Sequence, residues 1–273
     1  MLPADNHVHS QWSYDTFGRT SMLAACQRAV EVGVPALAFT EHLDFSQAGP
    51  GDAVEGSGIK LGWWDAMRPL DVPGYVASLA ECRERYPSLR ILSGVEAGEP
   101  HLFAGSIAAV LRSAQFDRVL GSLHAMIYED RMINSARLFG IWPAADVMRS
   151  YFAELLQVIA ADGVFEIMAH LDYPRRHWPA GAGPYQVTDF EEEYRAVLAA
   201  LAASGRVLEV NTFSPLASVE LLQWWREQGG RAVSFGSDAH VATRVGDKFT
   251  EAVTVAEAAG FTRGNDPLGF WRA

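Results

Sequence analysis

The feature that most constrains this chain is the regular alternation of short apolar runs with longer amphipathic stretches of helical periodicity. Short runs rich in Val, Ile, Leu and Phe indicate buried strands, whereas apolar residues spaced by three and four indicate helices. The predicted strands are Pro3–His7, Pro35–Thr40, Leu89–Val95, Asp117–Gly121, Val164–Met168, Arg206–Val210 and Arg231–Phe235. The predicted helices are Ser21–Val32, Val72–Arg85, Phe103–Ala114, Ala144–Ala160, Asp189–Ala203, Val219–Gln228 and Thr250–Ala259. This alternation predicts an α/β fold with a parallel sheet, because parallel strands need crossover connections.

The βα units run along the chain without a visible boundary, which predicts a single domain over residues 1–273. Periodicity alone leaves two arrangements open, a flat sheet and a closed barrel. One irregular, glycine-rich stretch, Ser46–Pro69, interrupts the pattern. Since loops of this length are uncommon inside a domain, it is either a lid or binding loop, or an ordinary surface excursion.

Composition limits the partners that this chain can have. The sequence has 33 Asp and Glu against 22 Lys and Arg, a formal net charge of −11. We therefore expect neither a long nucleic acid nor a membrane as partner, because both select a basic face. We find no secretory signal and no stretch of the roughly 20 apolar residues that cross a bilayer. Cys26 and Cys82 match no metal or disulfide spacing, so we expect reduced thiols in a cytoplasmic protein, whose oligomeric state the sequence leaves open.

Most of the histidines fall at or just after the ends of predicted strands. The residues concerned are His7, His9, His42, His124, His170 and His240, together with the carboxylates Glu96 and Asp238. Because parallel strands place their carboxyl ends at one rim, these side chains should converge. A lone histidine near a strand end is more often a hydrogen-bonded loop residue, and one His-x-His pair is weak evidence. The joint pattern is what predicts a metal site.

The spacing of these residues suits metal binding. Residues i and i+2 of a strand share a face, so His7 and His9 can hold one ion, and Asp238 and His240 can approach a shared centre. Imidazole and carboxylate ligands without a thiolate favour Zn, Mn or Fe. The set is too large for one ion, and a glutamate that bridges would make a centre of two to three divalent metal ions.

Six segments, taken in order, resemble the successive motifs of the PHP (polymerase and histidinol phosphatase) family. They are Asp5-Asn6-His7-Val8-His9-Ser10, Phe39-Thr40-Glu41-His42, Gly94-Val95-Glu96, Gly121-Ser122-Leu123-His124, Ala169-His170-Leu171-Asp172 and Gly236-Ser237-Asp238-Ala239-His240. The resemblance covers nearly the whole chain and is greatest to the histidinol-phosphate phosphatase type. It implies a distorted, TIM-barrel-like (β/α)7 barrel with a trinuclear metal site at the C-terminal rim of the strands.

Carried over position by position, the resemblance implies three metal sites. The first would use His7, His9, Glu96 and Asp238, the second the bridging Glu96 with His124 and His170, and the third His42 and His240 with Asp15. The surroundings of Asp15, Trp12-Ser13-Tyr14-Asp15-Thr16, depart from the Cys-Pro-His-Gly segment of many histidinol phosphatases. Asp5 and Asp44 are therefore rival carboxylates for the third site.

The resemblance also implies an activity, the hydrolysis of a small phosphate monoester. The expected reaction converts L-histidinol phosphate to L-histidinol and phosphate, a step of histidine biosynthesis. Three divalent ions with Asp15, Glu96 and Asp238 would leave a charge of about +3, which suits a phosphate dianion. We hypothesise in-line attack on phosphorus by a metal-bridging hydroxide, with Arg176 holding phosphate oxygens. Asp238 is our candidate proton donor to the leaving alkoxide.

Five residues are candidates for substrate binding. Arg176 is preferred, because its guanidinium fork matches phosphate and the family also places an arginine there. The others are Arg175, Arg244, His101, and Asn211 at the end of the one strand that lacks a predicted metal ligand. For the arginines a surface role is the alternative, and His101 is equally consistent with a helix start.

Three other functions stay open. A metal-dependent amidohydrolase also begins with His-x-His on a barrel, but many bridge their metals with a carboxylated lysine near the end of the fourth strand, and neither Lys60 nor Lys248 is placed for it. A PHP phosphoesterase could act on another monoester, a nucleotide or a phosphodiester, although the acidity weighs against long nucleic acids. A non-enzymatic, metal-stabilised binding module would have missing ligands, whereas this set looks complete.

Overall fold

The structure, a computed structural model, describes residues 2–16, 18–45, 69–161, 164–213, 215–266 and 268–273. The strands are β1 (Asp5–Val8), β2 (Ala36–Leu43), β3 (Arg90–Gly98), β4 (Arg118–Ser122), β5 (Ala125–Tyr128), β6 (Arg131–Asn134), β7 (Ile167–Met168), β8 (Val207–Asn211), β9 (Ala232–Gly236) and β10 (Trp271–Arg272). The helices are α1 (Met22–Val32), α2 (Val72–Arg85), α3 (Pro100–Ser113), α4 (Ala144–Ala160), α5 (Glu191–Ala203), α6 (Val219–Glu227) and α7 (Phe249–Ala258). Every predicted strand and helix overlaps one of these elements. The irregular stretch Ser46–Pro69 lies, up to residue 68, outside the described residues.

Seven parallel strands form one curved sheet in the order β1-β2-β3-β4-β7-β8-β9, and β10 pairs antiparallel with β9. The two ends of the parallel sheet meet just beyond β9. There the Asp238 amide donates to the His7 carbonyl at 2.8 Å, and the His9 amide donates to the Ala239 carbonyl at 3.0 Å. These bonds close the sheet, which confirms a distorted (β/α)7 barrel and decides between the two arrangements that periodicity left open.

Both faces of the barrel strands are buried, because side chains fill the barrel and helices cover it. All residues of β1 and β2 are buried. The inner face of α4 shows the matching helical spacing: Val147, Tyr151, Leu155 and Val158 have no exposed surface. Buried polar side chains occur at the strand ends and, as with Glu41 and Glu209, inside the strands.

Helix ends follow the expected capping chemistry. Ser21 begins α1 by accepting a hydrogen bond from the Ala24 amide at 3.2 Å. Gly33 ends that helix with φ at 79°, a left-handed conformation that glycine adopts at little cost. Cys26 and Cys82 are buried free thiols, in agreement with the expected packing role.

Two strand features differ from the prediction. The β5–β6 hairpin follows His124, and its four-residue strands are too short for a periodic pattern to identify. The antiparallel β10 is shorter still, with two residues. Among the described helices, none has both the length and the apolar character of a membrane span.

Candidate metal centre

Six histidines and two carboxylates lie together at the carboxyl-terminal rim of the barrel. They sit at or just after successive strand ends: His7 and His9 at β1, His42 on β2, Glu96 on β3, His124 after β4, His170 after β7, and Asp238 and His240 after β9. All are buried except His240, whose side chain is 24% exposed. The closed sheet thus brings together residues that are far apart in the sequence.

His7 and His9 lie at the first candidate position for a metal ion, which we call the first position. Their Nε2 atoms are 3.1 Å apart. Asp238 Oδ1 lies 3.6 Å from His7 Nε2 and 3.4 Å from His9 Nε2, and Glu96 Oε2 lies 3.4 and 3.5 Å from the same two atoms. His7, His9 and Asp238 thus offer three donor atoms within 4.8 Å of one another, and Glu96 Oε2 lies beside the same two imidazoles. Imidazole and carboxylate donors of this kind suit a zinc-like ion.

Glu96 turns its second oxygen toward a different pair of histidines. Its Oε1 lies 2.6 Å from His170 Nε2 and 3.2 Å from His124 Nε2, and these two nitrogens are 3.3 Å apart. His170 has φ at 21°, in the left-handed region that non-glycine residues rarely occupy. Glu96 Oε2 also lies 3.1 Å from His42 Nδ1. Because the two oxygens of Glu96 face different groups of histidines, this carboxylate has the geometry of a bridge between two ions.

Asp15 lies beside the remaining two histidines. Its Oδ2 is 2.9 Å from His240 Nε2 and 3.4 Å from His42 Nε2. The rival Asp44 occupies the opposite side of His42, 3.5 Å from its Nδ1, and is also 3.5 Å from His124 Nδ1. Asp15 therefore faces the Nε2 atoms of His42 and His240, whereas Asp44 faces the Nδ1 atoms of His42 and His124.

The other rival, Asp5, is turned toward the backbone. Its side chain accepts hydrogen bonds from the Ser237 amide at 2.9 Å and the Gly246 amide at 3.0 Å. Burial, only partly offset by these hydrogen bonds, raises the pKa of Asp5 to about 6. These contacts identify Asp5 as a carboxyl group that ties β1 to the segments after β9.

The centre has the electrostatics of a cation site. Glu96 Oε2 and Asp15 Oδ1 are buried and receive no hydrogen bond from the described residues. Although burial opposes charge, Asp15 and Glu96 raise the pKa of His42 well above its usual value. Likewise, against the effect of burial, His124 and His7 lower the pKa of Glu96 well below its usual value. Protons on the imidazoles supply the positive charge that the carboxylates require, so the donor set fits divalent metals that would displace those protons.

Glu209, in the middle of β8, hydrogen-bonds to two of these histidines on the side away from the candidate metal positions. It is absent from the set of residues predicted from the sequence. It accepts hydrogen bonds from His7 Nδ1 at 2.7 Å, from the His170 amide at 2.7 Å and from Asn211 Nδ2 at 3.1 Å. A proton fixed on His7 Nδ1 leaves the Nε2 lone pair directed at the first position. A glutamate inside the apolar strand Val207–Asn211 is the sequence signal that could have identified it.

A second supporting contact holds His9. Its Nδ1 lies 3.0 Å from Ser13 Oγ, which itself donates to Glu41 Oε2 at 2.6 Å. Since the Ser13 proton is used toward Glu41, the hydroxyl oxygen accepts from His9 and fixes the same tautomer as in His7. Ser13 belongs to the segment that departs from the family pattern, and this contact gives that segment a role.

Arg176 and Asn211 lie next to the first position. Arg176 donates to Asp238 Oδ2 at 2.5 Å and to Asn211 Oδ1 at 3.3 Å, and Asn211 Nδ2 lies 3.3 Å from the same Asp238 oxygen. Although burial opposes ionisation, Arg176 and His7 hold the pKa of Asp238 well below its usual value. Asp238 therefore presents one oxygen to the histidines and the other to the arginine.

The other predicted substrate residues have different partners. Arg175 pairs with Asp172 at 3.1 Å, and His101 Nε2 lies 2.7 Å from Glu154 Oε1 on α4. Arg244 follows β9 at the rim, and its side chain is 43% exposed. Of these three, Arg244 is the one that shares an aromatic ring with Arg176, since both guanidinium groups lie against Phe213.

Known proteins resemble this chain over nearly its whole length. The family model described as PHP domain matches residues 5–213. A histidinol-phosphatase from Lactococcus lactis is 25% identical over 268 residues, spanning 96% of this chain and 93% of that one, and a probable histidinol-phosphatase from Deinococcus radiodurans is 25% identical over 272 residues, spanning 91% and 90%. The crystal structure of the L. lactis histidinol phosphate phosphatase with zinc, L-histidinol and phosphate superposes with a TM-score of 0.76 at 23% identity, covering 98% of both chains. That of a putative histidinol phosphatase from Listeria monocytogenes gives 0.74 at 18% identity, covering 91% of this chain and 99% of that one.

Proposed function

The chain belongs to the PHP domain family, and from this premise we propose that it is a metal-dependent phosphatase that hydrolyses L-histidinol phosphate to L-histidinol and phosphate. The observation that carries the proposal is the position of Glu96, whose two oxygens face separate groups of histidines at 2.6 to 3.5 Å. A bridging carboxylate among imidazoles is typical of hydrolytic centres with two or more metals. The similarity to histidinol-phosphatases over more than nine-tenths of the chain supports this substrate.

We assign the metal ligands as the three groups described above. His7, His9, Glu96 and Asp238 would hold one ion, Glu96 with His124 and His170 a second, and His42, His240 and Asp15 a third. Divalent metals in such a centre screen the charge of the phosphate and lower the pKa of a water molecule. We propose zinc, which the L. lactis structure contains, with manganese and iron as the alternatives that the same ligands accept.

Arg176 is the residue that we propose binds the phosphate. Its side chain is only 9% exposed and is held by Asp238, so its guanidinium is fixed in orientation before substrate arrives. A planar guanidinium can donate two parallel hydrogen bonds to phosphate oxygens. Asn211, which contacts both Arg176 and Asp238, keeps this pair in place.

The depressed pKa of Asp238 bears on the proton that the leaving alkoxide needs. A carboxylate that stays ionised beside Arg176 is a poor proton donor at neutral pH. We therefore assign to Asp238 the tasks of ligand and of anchor for Arg176, and we place the alkoxide's protonation with solvent at the rim.

The cellular setting completes the proposal. The reaction would be a step of histidine biosynthesis, and the two buried free thiols support a reducing compartment such as the cytoplasm. The small rim site and the acidic chain fit a small phosphorylated substrate and not a long nucleic acid.

A phosphate-release screen tests this function directly. Metal-depleted protein is reconstituted with zinc, manganese or iron and assayed on L-histidinol phosphate, other sugar and amino-alcohol monoesters, and nucleotides. We expect the highest kcat/KM for L-histidinol phosphate and no turnover without metal. His7→Ala should abolish turnover in a folded protein, whereas His177→Ala, the same change at an imidazole outside the centre, should not. Preference for another ester would replace the substrate, and full activity of His7→Ala would exclude the site.

A further inference from the structure

Phe213 is an exposed aromatic side chain beside the metal centre. It follows β8 by two residues and is 40% exposed, whereas most aromatic rings of the described residues are buried or partly buried. Its amide donates to Asn211 Oδ1 at 3.0 Å, the same oxygen that accepts from Arg176. The position of the ring is thus tied to the residues that surround Asp238.

Two guanidinium groups lie against this ring. The Cζ atom of Arg176 is 4.7 Å from the ring centroid, and that of Arg244 is 5.5 Å from it. Arg176 follows β7, Phe213 follows β8 and Arg244 follows β9, which are neighbours in the sheet. The segments after the two strands that flank β8 therefore each place one arginine against the Phe213 ring. The His240 ring, 6.0 Å away between centroids, places this arrangement at the metal centre.

Arg244 depends on the ring more than Arg176 does. Its ion pair is with Asp247, three residues on in the sequence, at 2.8 Å, and both side chains are more than a third exposed. Exposed pairs of this kind hold a side chain weakly. Contact with an aromatic face adds attraction between the cation and the ring, and it restricts where the guanidinium can lie.

We propose that Phe213 is a positioning residue that holds Arg176 and Arg244 as a two-arginine clamp for the substrate phosphate. The inference rests on the proposed function and extends it. Arg176 would serve the phosphate oxygens nearest the metals, and Arg244 those facing solvent, each through a planar fork. A clamp that binds phosphate equally before and during the reaction lowers KM and leaves kcat little changed.

The test measures inorganic phosphate binding by zinc-loaded protein with calorimetry, together with kcat and KM for L-histidinol phosphate. Phe213→Leu keeps an apolar side chain but removes the ring, and we expect the phosphate Kd and the KM to rise about fivefold to tenfold. We expect kcat to change less than twofold. Phe213→Tyr retains the ring and should restore most of the binding. Val30→Ala, at an exposed apolar position on α1, is the control and should match the wild type.

A double variant separates a clamp from two independent contacts. Arg244→Gln should weaken phosphate binding as much as Phe213→Leu, and the combined variant should be no weaker than the worse single one. The proposal is overturned if either single variant keeps the wild-type phosphate Kd within twofold at equal zinc content, or if the two losses multiply. If wild-type protein binds phosphate but does not hydrolyse L-histidinol phosphate, the proposed substrate fails while the binding measurements still decide the clamp.

Discussion

Replacing Glu209 by glutamine should weaken metal binding while leaving the barrel folded. One oxygen of Glu209 accepts from the His170 amide and Asn211, and the other accepts from His7 Nδ1. The glutamine carbonyl should take the position with two donors, which places its NH2 group against His7 Nδ1. His7 must then accept a hydrogen bond there and carry its proton on Nε2, the nitrogen that faces His9 and Asp238.

The size of the effect follows from what a carboxylate behind a metal-bound histidine contributes to metal affinity. Such supporting carboxylates are typically worth about 10-fold to 100-fold in affinity, or roughly 1.4 to 2.8 kcal/mol. The fold should be destabilised less by glutamine, because the His170 amide keeps its acceptor. Glu209→Ala should cost more stability, since a buried amide left without a partner costs about 1 to 3 kcal/mol. For a chain of this size such a change lowers Tm by several degrees.

Chelator competition measures the zinc affinity, and thermal unfolding of the metal-free protein measures the stability. We expect Glu209→Gln to weaken at least one zinc equivalent tenfold or more, with a metal-free Tm close to that of the wild type. Glu193→Gln, which removes a carboxylate from a surface pair with Arg149, is the matched control and should change neither. Wild-type zinc affinity and stoichiometry in Glu209→Gln would refute the assignment of the His7 tautomer.

Further tests address the arginine that we propose binds phosphate, the protonation of the proposed metal ligands and a glycine beside Asp44. Arg176→Ala should lower kcat/KM about 100-fold in steady-state assays, and Arg176→Lys should recover part of it, because lysine keeps the charge but not the fork; an unchanged kcat/KM would assign the phosphate to another residue. Zinc should raise Tm more at pH 8 than at pH 6, because the raised pKa values of His42 and His124 make protons compete with metal. The metal-free protein should show the opposite trend in this range, losing stability as pH rises above 6.5 through those raised values, and thermal scans with and without zinc test both. Gly98→Ala should lower zinc occupancy in elemental analysis, because its Cβ would overlap Asp44 Oδ1 and displace that carboxylate from His42 and His124; full occupancy would show that Asp44 does not support the centre.

The positions of the strand ends explain why the convergence of these side chains could be predicted from the sequence. Parallel topology is encoded by local periodicity, and it places every strand's carboxyl end at one rim. Positions such as His42 and His170 could therefore be assigned to one neighbourhood without any knowledge of the distances between them. Closure of the barrel depends on the bonds between His7, His9 and the segment after β9, which are contacts between distant residues that periodicity does not encode.

Contacts behind the rim were harder to foresee for a different reason. Glu209 and Glu41 sit inside strands, where a charged residue gives no indication of which partner it meets across the barrel. Phe213 follows a strand end but belongs to a residue type that usually indicates core. Its role depends on two arginines delivered by neighbouring strands, and only their distances to one ring reveal it.

Asp5, Asp15 and Asp44 were rival candidates for the third proposed metal site in the sequence, but their contacts in the structure differ. Asp5 accepts from backbone amides, so its oxygens are already used in holding β1. Asp44 faces the inner nitrogen of His42 and receives the Tyr14 hydroxyl at 3.2 Å, which suits an orienting group. Asp15 alone of the three contacts His240 among the described residues, and its Oδ1 lacks a donor. Asp44 Oδ1 also lacks a donor, and Asp44 lies between His42 and His124. Contact with both His42 and His240 is therefore what favours Asp15 as the third ligand.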